Sequence, residues 1–202
     1  MKNDPASAAW LRTARPHQIA ERIRSKLAAL EPRRLDAPFL CEAAVLMLVF
    51  ERGGEPHFLL TRRTEEVQTH KGQISFPGGM RDGEESLEQT ALRETFEEVG
   101  IESGRIEILG RYHDYLSSTD YRVTPFAGYI SGVFTTTPQT TEVAEILLVP
   151  FRIFLDPGRL RTERTLHRGR MRDVYFYTFE THQIWGLTAR IIKDFLSELQ
   201  DE

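Results

Sequence analysis

Glu94, Glu97 and Glu98 are spaced i, i+3 and i+4. On a helix that spacing sets three carboxylates on neighbouring positions of one face. Like charges so placed cost a helix about 0.2–0.5 kcal/mol per pair. The three also fall near the C-terminal end of the run 86–99, where the helix dipole disfavours anions. A divalent cation removes both penalties. Clustered carboxylate oxygens without a histidine or thiolate select a hard ion, Mg²⁺ or Mn²⁺. Taken alone, the run reads equally well as a solvated acidic face.

The elements that would carry these residues follow from patterning. Ser86 with Gln89 forms a capping box, Gly100 suits a left-handed C-terminal cap, and Leu92, Phe96 and Val99 predict the buried stripe of a helix over 86–99. Residues 16–31 predict an amphipathic helix through Ile19, Ile23, Leu27 and Leu30, ended by Pro32. Residues 187–200 predict another. Strands are expected at 43–50, 57–61, 73–76, 105–115, 122–131, 145–149, 159–166 and 172–180. Strands mixed with a few helices, without regular βαβ alternation, predict an α+β fold with a mixed β-sheet. Residues 1–37 read as an N-terminal extension with one amphipathic helix, and 38–202 as the main domain.

Composition narrows the function classes. The chain has 202 residues, 40% hydrophobic, with 26 basic and 30 acidic side chains and a net charge of −4. That balance and the absence of nucleic-acid-binding patterns argue against nucleic acid as a partner. No window has the apolar length of a membrane span, and Met1–Trp10 lacks a secretory layout. The expectation is a soluble, cytoplasmic protein, with a homodimer left open. The single cysteine, Cys41, excludes an internal disulfide and reads as a small buried residue. Arginine supplies 22 of the 26 basic residues; codon bias explains this, as does a need for planar phosphate-binding forks. Seven acids and one base between 84 and 102 give a local net of −6, leaving +2 for the rest of the chain.

From Gly79 the sequence resembles the Nudix box. Gly79, Glu85, Arg93, Glu94, Glu97, Glu98, Gly100 and Ile101 all fall at its positions, and Thr95 is a mild departure. Seven fixed identities arise by chance on the order of 10⁻⁸ per start point. The resemblance implies a Nudix fold, a mixed sheet between helices, and a loop–helix–loop holding Mg²⁺ or Mn²⁺. It implies Glu94, Glu98, Glu97 and the carbonyl of Gly79 as metal ligands, with Glu94, Glu97 and Arg93 in the catalytic machinery. Glu85 is the expected partner of Arg93. Glu142, just before the strand at 145–149, is the candidate general base; it reads equally as a loop-end surface charge.

Upstream, Leu59, Leu60, Thr61, Arg63, His70, Gly72, Gln73, Ile74, Phe76, Pro77, Gly78 and Gly79 resemble the longer signature of the coenzyme A pyrophosphatase subgroup. Thr64 and Gln68 depart from it. Segments 109–130, 142–151 and 184–192 agree, so the resemblance covers about 40–195. It implies cleavage of the diphosphate of coenzyme A or its thioesters to 3′,5′-ADP and (acyl-)4′-phosphopantetheine. Arg63, His70 and Lys71 are the candidate substrate contacts; His70 also reads as a hydrogen-bonded loop residue. Trp185 and Tyr177 suit either adenine stacking or the core. The alternatives are another nucleoside diphosphate derivative (ADP-ribose, a dinucleotide, a capped RNA) and a non-catalytic ligand sensor. The complete glutamate set argues against the sensor.

Overall fold

A computed structural model describes residues 10–11, 14–36, 39–65, 72–167 and 169–200. Strand β1 (Cys41–Arg52) is its axis. Its even positions Ala44, Leu46, Leu48 and Phe50 pack into one apolar cluster, and its odd positions Met47 and Val49 into another. This is the two-residue period of a strand buried on both faces. One cluster holds Ala91 and Val99 of helix α2 (Leu87–Val99). The other holds Ile19, Ile23 and Leu27 of α1 (Pro16–Ala29) with Ile191, Ile192 and Phe195 of α4 (Gly186–Gln200). The architecture is thus α+β, a mixed sheet between helices.

The sheet forks along one side of β1. Near its C-terminal end β1 pairs with β2 (Glu55–Arg63), from Val49↔Phe58 to Arg52↔Glu55. Near its N-terminal end it pairs instead with β4 (Gly78–Met80), through Ala43↔Met80, Ala44↔Gly79 and Val45↔Gly78. Beyond the fork β2 continues against β3 (Ile74–Ser75) and β8 (Val143–Pro150). On its other side β1 runs parallel to β7 (Tyr121–Ile130) along ten residue pairs. Two short strands, β5 (Glu107–Arg111) and β6 (Tyr115–Leu116), pair antiparallel with β7. A short helix α3 (Phe151–Phe154) leads to a second sheet of β9 (Leu160–His167), β10 (Arg170–Phe179) and β11 (His182–Trp185).

Three expectations need correction. The buried face of α2 runs through Ala91, Thr95, Glu98 and Val99, with Leu92 partly buried against the same cluster, and not through Phe96, which is 52% exposed. The helix is turned to bring Glu98 inward, and that rotation carries Phe96 out. Cys41 is exposed, because it opens β1 at the rim of the sheet. The set of expected strands is also incomplete: the Gly78–Met80 backbone forms β4 and His182–Trp185 forms β11.

One buried acid ties the chain after α1 to this sheet. Asp114 has a side chain 1% exposed. It accepts hydrogen bonds from Thr124 Oγ1 at 2.7 Å, Arg111 Nη2 at 2.6 Å and the Leu35 backbone N at 3.0 Å. Removing the acid strands three donors, one of them a guanidinium. Asp114→Ala is therefore expected to destabilise the fold by roughly 3 kcal/mol, read as a lower urea midpoint. An unchanged midpoint would show the network to be dispensable.

Candidate active site

Helix α2 is fixed at both ends by its sequence. Ser86 N donates to Gln89 Oε1 at 2.7 Å and Gln89 N to Ser86 Oγ at 3.2 Å, a closed capping box. Gly100 takes φ +73° and its N–H donates to Phe96 O at 2.8 Å, a conformation glycine adopts without steric cost. Two carbonyls in the last turn are taken up by the following loop: Thr137 N donates to Val99 O at 2.8 Å and Gln139 N to Glu98 O at 3.0 Å. That loop then delivers Glu142, whose carbonyl accepts from Thr64 N at 2.9 Å. Glu142 is thereby held between the end of α2 and the end of β2.

Arg93 is the hub of the acidic face. Its Nε and Nη2 reach Glu85 at 3.1 and 2.8 Å. Nη1 donates to Glu94 Oε1 and Glu97 Oε2, both at 2.9 Å, and Nη2 to Met80 O at 3.0 Å. Glu85 also accepts from Thr90 Oγ1 and Asp82 N, each at 2.9 Å. Arg93 holds the Glu85 carboxyl down to about 2, so Glu85 stays ionised and clamps the loop 80–85 to the helix. Arg81 extends the clamp: it donates to Glu85 O and to Glu42 Oε2, both at 2.6 Å.

Glu94 and Glu98 are of another kind. Glu98 is 6% exposed, and its Oε2 accepts from Thr61 Oγ1 of β2 at 3.2 Å. Burial first, then the Glu94 charge, pushes its carboxyl up to about 8, while Arg63 and Thr61 oppose the rise. Glu94 is raised as well, by burial, against the opposing pull of Arg93. The charge of Glu142 acts upward on both. At Gly79 a Cβ would overlap the Glu94 carboxyl group, with Oε2 only 2.6 Å away. Glycine at that position is what lets this carboxylate lie against the β4 backbone.

These features fit a hard divalent cation. Glu98 is buried and Glu94 half-buried beside the β4 backbone; Glu94 is paired with Arg93, whereas Glu98 has only the Thr61 hydroxyl as a hydrogen-bond partner among the described residues. Glu97 is held outward on Arg93, with a side chain 54% exposed. Accordingly, no three acid or histidine side chains converge on one point among the described residues. Arg63, at the end of β2, has its Nε buried without a hydrogen-bond partner among the described residues. Arg62 beside it pairs with Glu145 at 3.1 Å. His70 and Lys71 lie outside the described residues. Tyr177 is in the core, whereas Trp185 is 43% exposed and stacks on Phe176. Sequence reasoning gave no role to Thr61, Arg81 or Glu42. Thr61 stands out in hindsight as a lone hydroxyl in an apolar strand; Glu42 carried no signal.

Comparison with known proteins bears on this loop–helix carboxylate site. A NUDIX domain model matches residues 42–178. A protein of Photorhabdus laumondii named uncharacterized Nudix hydrolase NudL is 38% identical over 159 residues, covering 78% of this chain and 84% of the relative. A protein of the same name from Yersinia pestis is 38% identical over 152 residues, 75% of this chain and 76% of the relative. Among solved structures, an Ap4A hydrolase of C. elegans superposes with a TM-score of 0.49 at 20% identity, over 55% of this chain and 80% of that one. The chain belongs to the Nudix hydrolase family.

Two substitutions probe the carboxylate cradle. Gly79→Ala has a permitted backbone but no room beside Glu94, so Mn²⁺ affinity is expected to fall about tenfold or more. Its melting temperature should shift by only a few degrees. Thr61→Val removes the hydroxyl that fixes Glu98 and should weaken Mn²⁺ binding, while Thr61→Ser restores it. Equal Mn²⁺ affinity in Thr61→Val and the parent would contradict that role.

Proposed function

We propose that this enzyme hydrolyses the diphosphate bond of coenzyme A or its acyl thioesters with Mg²⁺ or Mn²⁺, giving 3′,5′-ADP and (acyl-)4′-phosphopantetheine. One observation carries the hydrolytic reading. A buried carboxyl group, Glu98, and a half-buried one, Glu94, lie beside a glycine whose Cβ would overlap Glu94, near a guanidinium whose Nε has no hydrogen-bond partner among the described residues. The coenzyme A part rests on the segment from Leu59 to Gly79 and its resemblance to that subgroup.

Glu94, Glu98 and the carbonyl of Gly79 would hold the cation, joined by Glu97. When bound there, such a cation would supply neutralising charge for the diphosphate and would lower the pKa of a water beside it. The chain's own residues do the rest. Arg93 keeps Glu94 and Glu97 at fixed positions and, through Glu85, keeps the loop on the helix. Arg63 would meet a phosphate oxygen with the Nε that has no hydrogen-bond partner among the described residues, a group suited to phosphate recognition. Glu142, on the loop that hydrogen-bonds to the end of α2 and leads into β8, is proposed as the general base that takes the proton of the attacking water. His70 and Lys71 are proposed as further substrate contacts.

The test is product analysis by mass spectrometry on coenzyme A, acyl-coenzyme A, ADP-ribose and NADH with Mg²⁺ or Mn²⁺. The highest kcat/KM is expected on coenzyme A or a thioester, with 3′,5′-ADP as product. Intact coenzyme A beside cleaved ADP-ribose would overturn the assignment. Glu97→Gln is expected to lower kcat by roughly 10²–10³-fold with circular dichroism unchanged. Near-full turnover in that variant would refute its place in the site.

A further inference from the structure

A cavity of about 540 Å³ opens at the edge of the main sheet, away from the glutamate helix. Its volume is within the range of small-molecule sites. The segment after α1 forms one wall through Arg33 and Leu35, β6 another through Tyr115 and Leu116, and β10 a third through Arg172 and Tyr175. Arg33 is anchored by its backbone: its N–H donates to His113 Nδ1 at 2.9 Å, and its carbonyl accepts from Asp114 N at 2.9 Å. After burial itself, the Arg33 charge is the next strongest influence lowering His113.

The charge balance of this cavity is uneven. Its acids are already matched: Asp114 by Arg111 at 2.6 Å, Asp173 by Arg164 at 3.1 Å. A third lining arginine, Arg190, stands 3.6 Å from Asp194. Arg33 and Arg172 have no carboxylate partner among the described residues. Two guanidiniums beside tyrosine and leucine side chains suit an anion carried on an apolar stem.

The cavity also has a fixed relation to the carboxylate site. Leu116 pairs with Arg122 of β7, Arg122 with Glu42 of β1, and the Arg81 N–H with the Glu42 carbonyl. This row crosses three strand spacings, roughly 14 Å. It ends at Arg81, two residues from Gly79. An extended pantetheine arm, with two amide units between its phosphate and its sulfur, spans roughly 15 Å by the geometry of an extended amide chain.

We propose that this cavity is an acyl subsite that favours thioesters whose acyl group ends in a carboxylate. The inference rests on the coenzyme A reading for the identity of the substrate. The two guanidiniums then receive the carboxylate while the diphosphate lies on the glutamate helix. The experiment compares succinyl-coenzyme A with butyryl-coenzyme A, similar in length and different in terminal charge. The parent is expected to favour the succinyl thioester about tenfold in kcat/KM, mainly through KM. Arg33→Ala/Arg172→Ala should abolish the preference while retaining butyryl turnover, which also reports folding. No preference in the parent, or an undiminished one in the double variant, overturns the subsite. If no coenzyme A substrate is cleaved, the function reading itself has failed. Succinate titrated calorimetrically into parent and variant then tests the cavity alone: binding lost in the variant supports an anion site, and no binding in the parent overturns it.

Discussion

The structure is organised around a buried glutamate, Glu98, that has no paired cation among the described residues, and its half-buried neighbour Glu94. Glu98 is 6% exposed and receives one hydroxyl from Thr61; Glu94 is pressed against Gly79. Burying a carboxyl group away from a matching charge is costly, and the upward push on Glu98 expresses that cost. It persists here because the surroundings are over-determined. A capped helix, a forked sheet and a clamped loop each hold one side of the pair.

The fork in β1 provides the space. Had β2 stayed beside β1 throughout, its side chains would occupy the ground that β4 now gives to bare glycine backbone. Because β2 leaves, Thr61 and Arg63 approach the helix from one side and Gly79 from another. Arg93 closes the arrangement by binding Glu85, Glu94 and Glu97 together. Its bidentate grip on Glu85 is the strong member of the set, because planar fork and carboxylate match in geometry. The exposed Glu97 contact contributes less, since solvent screens it.

Much of this was legible in the sequence. The capping box at Ser86 and the left-handed Gly100 specify α2, and the structure places them so; of the i, i+3, i+4 glutamates it turns Glu98 inward and Glu97 outward. The rotation of α2 was not legible. Hydrophobicity favoured Phe96 as a buried residue, but the helix buries Glu98 instead, where Thr61 of β2 donates to its carboxyl group. Strand β4 was hidden because Gly-Gly carries turn propensity, while the pairing that makes it a strand comes from the distant Ala43–Val45. Glu42, Arg81 and Arg122 form a bridge among three strands. Single exposed-type charges in a sequence do not announce such partners.

The central claim is that Glu98 is buried for a cation and at a cost to the metal-free fold. Thermal unfolding of the parent and Glu98→Gln, each with EDTA and with Mn²⁺, tests it most directly. Ion at a hundred times its Kd should stabilise the parent by about 2.7 kcal/mol. The account predicts that metal-free Glu98→Gln melts above the metal-free parent and gains little from Mn²⁺. A variant that melts below the parent in EDTA, or that keeps the full Mn²⁺ stabilisation, would contradict it.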